Sequence, residues 1–350
     1  MLSPKRLPTT RRFTRSQILY YLFFVFSFAC VVPLSPAPAP ANRTDSCLVR
    51  FAYLFVSFST TAFSHLPEPV HGAPAVLLAA TVYPSNFTAG IRPLPLHSHN
   101  DYWRAVPFFT ALGNGAISTE ADVWHFEDTL YVGHSKGSLT AERTFRALYI
   151  NPILGILSAR NPNGTKDGWN GVFYEAPAQT LNLYIDLKTP GTPTLPVVVA
   201  ALEPLRERGY LTHLEGGKVM QGAVTVHLTG DTQFVDVLAM QEEGRDVFFD
   251  APLTELESGR YNTTNSLMAT APFGSAVGKV IWAGAGRMTE DMVATVNGHI
   301  AAAHERGIGV RYWDTPGWPK GVREGVWRTL VDLGVDLLNV DDLRRAADFV

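Results

Sequence analysis

The chain has 350 residues, 46% of them hydrophobic and 17% charged, enough for one large α/β domain with an N-terminal appendage. A formal net charge of −3 gives no basic footprint, which excludes nucleic acid as a partner. Cys30 and Cys47, the only cysteines, lie upstream of that domain, which therefore has neither a disulfide nor a thiolate metal site.

Residues 1–41 read as a targeting segment. Lys5, Arg6, Arg11, Arg12 and Arg15 precede an apolar run from Ile18 to Leu34, and SPAPAPA then offers small residues for cleavage. A signal peptide is expected, with an uncleaved signal anchor as the alternative, since the run is near the lower length of a membrane-spanning helix. The anchor would tie the protein to a membrane. Residues 42–90 read as a linker containing a second apolar stretch, Leu48 to Phe63, which has no assigned role. The sequons at Asn42, Asn86, Asn163 and Asn262 add to the expectation of a secreted or membrane-anchored glycoprotein in the secretory pathway.

From residue 91 to 350 short β-type runs alternate with stretches of helical period. The strand candidates are LPLHS (94–98), AISTEADV (116–123), NLYIDLK (182–188), AVTVHL (223–228), DVFFD (246–250), KVIWAG (279–284), IGVRYW (308–313) and VDLLNV (335–340). TLYVGH (129–134) is expected to form a hairpin with the second. Helices are expected over Trp103–Leu112, Ala141–Leu157, Leu195–Arg208, Thr289–Arg306 and Gly321–Leu333. Eight strands alternating with helices imply a (β/α)₈ TIM barrel, with a doubly wound open sheet as the competitor. No glycine-rich dinucleotide or phosphate loop follows any strand, which weakens the competitor.

The chemistry gathers between Leu94 and Ser135, where His97, His99, Glu120, Asp122 and His134 stand at or just after strand runs. Side chains two apart on a strand share a face, so His97 pairs with His99 and Glu120 with Asp122. Asp186 adds a third carboxylate at its own strand end, and such carboxylates suit Mg²⁺, with Ca²⁺ as the alternative. The histidines titrate near neutrality and can move protons. Lys188 is equally compatible with phosphate neutralisation and with a solvated strand end; His227 and Asp250 end later strands, where they can contact substrate or satisfy loop backbone. Trp313 at the seventh strand end either packs across the barrel mouth or stacks on a ligand. Asp332, Asp336, Asp341 and Asp342 are read as helix caps and solvent-facing charge. The His97-Ser98-His99 triplet also supports a different enzyme, an H-x-H metal-dependent amidohydrolase-like hydrolase, and a non-catalytic barrel binding a lipid or phosphate is the third alternative.

HSHNDYWR, the E-A-D-V segment, L-Y-V-G-H and Y-I-D-L-K together resemble the phospholipase C-like phosphodiesterase superfamily, which includes glycerophosphodiester phosphodiesterases and sphingomyelinase D toxins. Within it the chain is most similar to the fungal group called altered inheritance of mitochondria protein 6, over about Arg92 to Val350. The resemblance implies a TIM barrel in which Glu120, Asp122 and Asp186 hold one divalent cation, while a first-strand histidine, His99 or His97, and His134 form an acid–base pair. It implies cleavage of a small-molecule or lipid phosphodiester, with Asn100 beside the substrate at a spacing from His97 like that in the toxins. The chain departs from the glycerophosphodiesterase pattern, carrying His-Ser-His-Asn-Asp where those enzymes carry His-Arg-Gly.

Overall fold

Successive side chains of a strand point to opposite faces, as in VTVHLTG where Thr225, His227 and Thr229 alternate with apolar residues, so closing the strand runs into a barrel puts one face inside and the other against helices. The structure, a computed structural model, describes residues 86–280 and 287–350. The expected targeting segment and the second apolar stretch lie outside these residues. In chain order the strands are β1 (Leu94–Ser98), β2 (Ala116–Phe126), β3 (Thr129–Val132), β4 (Leu181–Leu187), β5 (His213–Glu215), β6 (Lys218–Met220), β7 (Val224–Gly230), β8 (Val247–Pro252), β9 (Met268–Pro272), β10 (Gly309–Trp313) and β11 (Leu337–Val340).

Eight of these run parallel in the order β1-β11-β10-β9-β8-β7-β4-β2, and the pairing of β1 with β2 closes the ring. The fold is a (β/α)₈ barrel, as expected. β3 extends β2 as an antiparallel hairpin, and β5–β6 form a separate small hairpin. Outside the ring, β-strand side chains such as Val224 and Val226 pack with Leu157, Val198 and Leu205 on one side. Val310 and Leu338 pack with Val296, Ile300 and Val326 on the other. The helix Glu290–His304 starts as its sequence requires: the Thr289 hydroxyl accepts from the Met292 amide at 3.2 Å, with Glu290 and Asp291 in the positive first turn.

Several expectations change. The sixth barrel strand is MATAP at β9 and not KVIWAG, of which residues 281–286 lie outside the described residues. The expected helix Trp103–Leu112 is instead a 3₁₀ turn at Asp101–Trp103 followed by a short helix at Phe109–Gly113. The expected helix Ala141–Leu157 starts later, as a π-turn at Arg146–Ile150 leading into Asn151–Arg160. The helix expected over Leu195–Arg208 runs as Gly191–Ala201 and Glu203–Arg206, because Pro204 cannot supply an amide to a continuous ladder.

Candidate active site

Strand register sets the depth of each inward side chain. Asp122 of β2 is level with Asp186 of β4, which is level with Thr229 of β7. One pleat lower, Glu120, Tyr184 and His227 share a level. The upper level opens into a cavity of about 680 Å³ at the carboxyl ends of the strands, where barrels of this kind carry their chemistry. His99, Asn100, Glu120, Asp122, His134, Asp186, Lys188, Arg311 and Trp313 are among the residues that line it.

Ligand atoms of Glu120, Asp122 and Asp186 all lie within 4.8 Å of one another. Lys188 Nζ is 2.9 Å from Asp186 Oδ2 and 3.0 Å from Asp122 Oδ2. Three carboxylates against one ammonium leave two negative charges, which a divalent cation matches. Asp186 Oδ1 is buried without a hydrogen-bond partner, so the donor set has capacity left for a hard cation. Burial, then the charges of Glu120 and Asp186, push the Asp122 carboxyl up to about 7. Burial also raises Asp186, against the pull of Lys188. Such crowding of buried carboxylates is unfavourable by itself and is relieved by bound positive charge.

The two mouth histidines are held differently. His99 Nδ1 is 2.8 Å from Asp341 Oδ1. Burial depresses its pKa, but the bond to Asp341 and the charges of Glu120 and Asp341 outweigh this and raise it. His134 is more open, with Nδ1 3.1 Å from the Tyr102 hydroxyl. That hydroxyl is 2.7 Å from Asp122 Oδ2 and also meets Asn100 Oδ1. A hydroxyl that donates to a carboxylate accepts with its lone pair, which assigns the His134 proton to Nδ1 and leaves Nε2 as the free acceptor. Asn100 adopts a left-handed backbone, φ 49°, which asparagine tolerates, and this aims its amide at Glu120 Oε2, 2.9 Å away.

His97 has no solvent exposure and does not line the cavity. Its Nδ1 bonds to Ser118 Oγ at 2.7 Å, Nε2 is 4.0 Å from Glu120 Oε2, and its ring meets Tyr184 edge-on. Burial, and then Arg311, hold it well below the usual histidine value. His97 is thus a neutral part of the barrel interior. The geometry does not favour the H-x-H metal reading, because the two histidines are tied to different partners and, among the described residues, the group whose ligand atoms converge closely enough to hold a metal is the three carboxylates.

His227 and Asp250 do not meet the expectation of substrate contact. β7 runs on to Gly230 and β8 to Pro252, so both residues fall inside the barrel and neither lines the mouth. His227 Nε2 is 2.9 Å from Asn182 Oδ1 and its ring stacks on Tyr184; burial lowers it to about 3. Asp250 accepts from Thr270 Oγ1 at 2.8 Å and faces Arg311 at 3.7 Å, and burial raises it to about 6. Tyr102, Arg311 and Asp341 were missed. Arg311 had a signal, a cation in the middle of an apolar strand; Asp341, read as a cap or solvent charge, had none, and of the two neighbours it is Asp342 that caps, accepting from the Arg345 amide.

A family model described as an AIM6-like phosphodiesterase domain matches residues 85–250. An altered inheritance of mitochondria protein 6 homolog from Arthroderma benhamiae is 42% identical over 277 residues, covering 76% of this chain and 87% of its own. Altered inheritance of mitochondria protein 6 from Lachancea thermotolerans is 38% identical over 286 residues, 74% of this chain and 66% of its own. That from Saccharomyces cerevisiae strain YJM789 is 36% identical over 281 residues, 74% and 72% respectively. These names correct the expected secretory location, since they refer to mitochondria and none to export. Among the described residues, no helix is long and apolar enough to cross a membrane. The error has a physical source: an Arg-rich start with no acidic residue before Asp45 is also the composition of mitochondrial transit segments.

Proposed function

The chain belongs to the AIM6-like phosphodiesterase family, and from that premise we propose that it is a metal-dependent phosphoric diester hydrolase acting on a glycerophosphodiester or phospholipid-type substrate. The observation that carries the reading is the convergence of Glu120, Asp122 and Asp186 beside Lys188, His99 and His134 in one cavity. The three carboxylates would hold one Mg²⁺, which when bound offsets negative charge on the phosphoryl oxygens.

The protein's own groups supply the rest. Lys188 and Arg311 put positive charge on the cavity wall against a phosphate. His134 Nε2 takes the proton from the attacking hydroxyl, that of water or of the substrate itself. As the new P–O bond forms and the bond to the alcohol breaks, His99 gives its proton to the departing oxygen. The bond to Asp341 favours the protonated, acid form of His99. Tyr102 keeps His134 in the tautomer that can accept. Calorimetry tests the metal assignment: Mg²⁺ affinity is expected to fall in Glu120→Gln and Asp186→Asn without loss of fold, and unchanged affinity in both variants would refute it.

A further inference from the structure

Beside the main cavity lies a second one of about 300 Å³, at the lower end of ligand-sized spaces, and His99 lines both. Its other walls include Arg323, Trp327, Asn339, Asp341 and Asp342. Trp327 is 2% exposed and Arg323 9%, yet Trp327 Nε1 and Arg323 Nε are buried with no hydrogen-bond partner. Arg323 Nη1 bonds to Asp342 Oδ2 at 3.1 Å and Nη2 forms an ion pair with Glu324 Oε1 at 3.5 Å, which leaves Nε as the unsatisfied donor of this guanidinium. The guanidinium lies over the Trp327 ring, 4.7 Å from its centre, which brings the unsatisfied donors together. Buried donors without acceptors are rare in native proteins because each has given up its water.

Acceptors are present too. Asp341 and Asp342 are engaged with His99 and Arg323, but Asp314, also on the wall, makes no ion pair among the described residues. A second phosphate or carboxylate would be repelled by these acids, and an acyl chain would leave the donors unpaired. A neutral group carrying several hydroxyls satisfies both sides, since each hydroxyl donates and accepts.

We infer that this cavity receives the alcohol half of the phosphodiester and that this alcohol is a small polyol bearing free hydroxyls. The inference rests on the hydrolase reading above. It accounts for the position of His99: an acid that protonates the departing oxygen stands between the metal cluster and the space the alcohol occupies.

The test is calorimetric titration of the full chain in Mg²⁺ with glycerol 3-phosphate and, separately, methyl phosphate. Glycerol 3-phosphate is expected to bind about 10-fold more tightly or better, the worth of one or more hydroxyl hydrogen bonds. Trp327→Phe, which removes an N–H and keeps a packed ring, and Arg323→Gln should each cut that advantage by roughly 3–10-fold while leaving methyl phosphate unchanged. Equal affinity for the two ligands in the wild type, or an advantage untouched in both variants, overturns the inference. Diester turnover separates it from the reading beneath it. An intact advantage without cleavage of any diester supports the subsite and refutes the hydrolase; cleavage of glycerol- and methyl-bearing diesters at equal efficiency does the reverse.

Discussion

His99 and His134 reach the same cavity by different supports, and their variants should fail differently. His134→Asn is expected to lower kcat by roughly 10²–10⁴-fold, the usual worth of positioned proton transfer, with Mg²⁺ still bound. His99→Asn should be as damaging, with loss of the alkaline limb of the pH profile of kcat/KM, because the partner Asp341 raises the pKa of the acid form. His97→Asn should be milder in rate, since His97 lies beneath the cavity and its loss acts through packing. Equal kinetic loss in His97→Asn and His99→Asn would contradict this assignment. Asp122 allows a stability test in chelator. Its carboxyl is raised from 3.8 to about 7 in the folded chain, so the native state binds that proton more tightly than the unfolded one. Stability from this group is therefore full at low pH and lost as pH climbs through that window. Asp122→Asn removes the dependence: it should melt like the wild type near about pH 4 and higher near about pH 7.5, by on the order of a few kcal/mol. A constant offset at both pH values would contradict this.

Strand ends decide what reaches the mouth. β1 matches its sequence pattern residue for residue, and Glu120, Asp122 and Asp186 were legible because alternation fixes a common face and the register then brings them level. Depth was not legible. Nothing local in AVTVHL says that the strand continues through Thr229 to Gly230, and that extension is what lowers His227 into the interior. β9 was missed for a related reason: MATAP has few β-formers and a proline, and it is a strand because β8 and β10 pair with it on either side. Gly230 shows how closely this element is fitted. Its φ is +70°, and a Cβ there would stand 2.1 Å from Asp186 Oδ1 and 2.6 Å from the Leu187 carbonyl oxygen. Gly230→Ala should cost roughly 1 kcal/mol or more in stability and weaken Mg²⁺ binding by displacing Asp186. Melting and calorimetry on one sample check both, and unchanged metal affinity would show that Asp186 is not a ligand.

At the scale of the molecule, the barrel and the family were legible together, since the eight-strand rhythm and the HSHNDYWR, E-A-D-V and Y-I-D-L-K segments are read from the same residues. The destination of the chain was not, because basic residues before an apolar run are shared by more than one targeting system. The polar side chains inside the ring form paired contacts, His97 with Ser118, His227 with Asn182 and Arg311 with Asn339; the two histidines support the mouth without entering it, whereas Arg311 also reaches the cavity wall. Phosphodiester cleavage that depends on the carboxylate cluster is the central claim. Its most direct measurement is phosphorus NMR of the full chain with a panel of glycerophosphodiesters and lysophospholipids, with Mg²⁺ and then with excess chelator, beside Glu120→Gln. The account predicts conversion of at least one diester with Mg²⁺, abolished by chelator, restored by added Mg²⁺ and absent in Glu120→Gln; conversion that persists in chelator and in Glu120→Gln would contradict it.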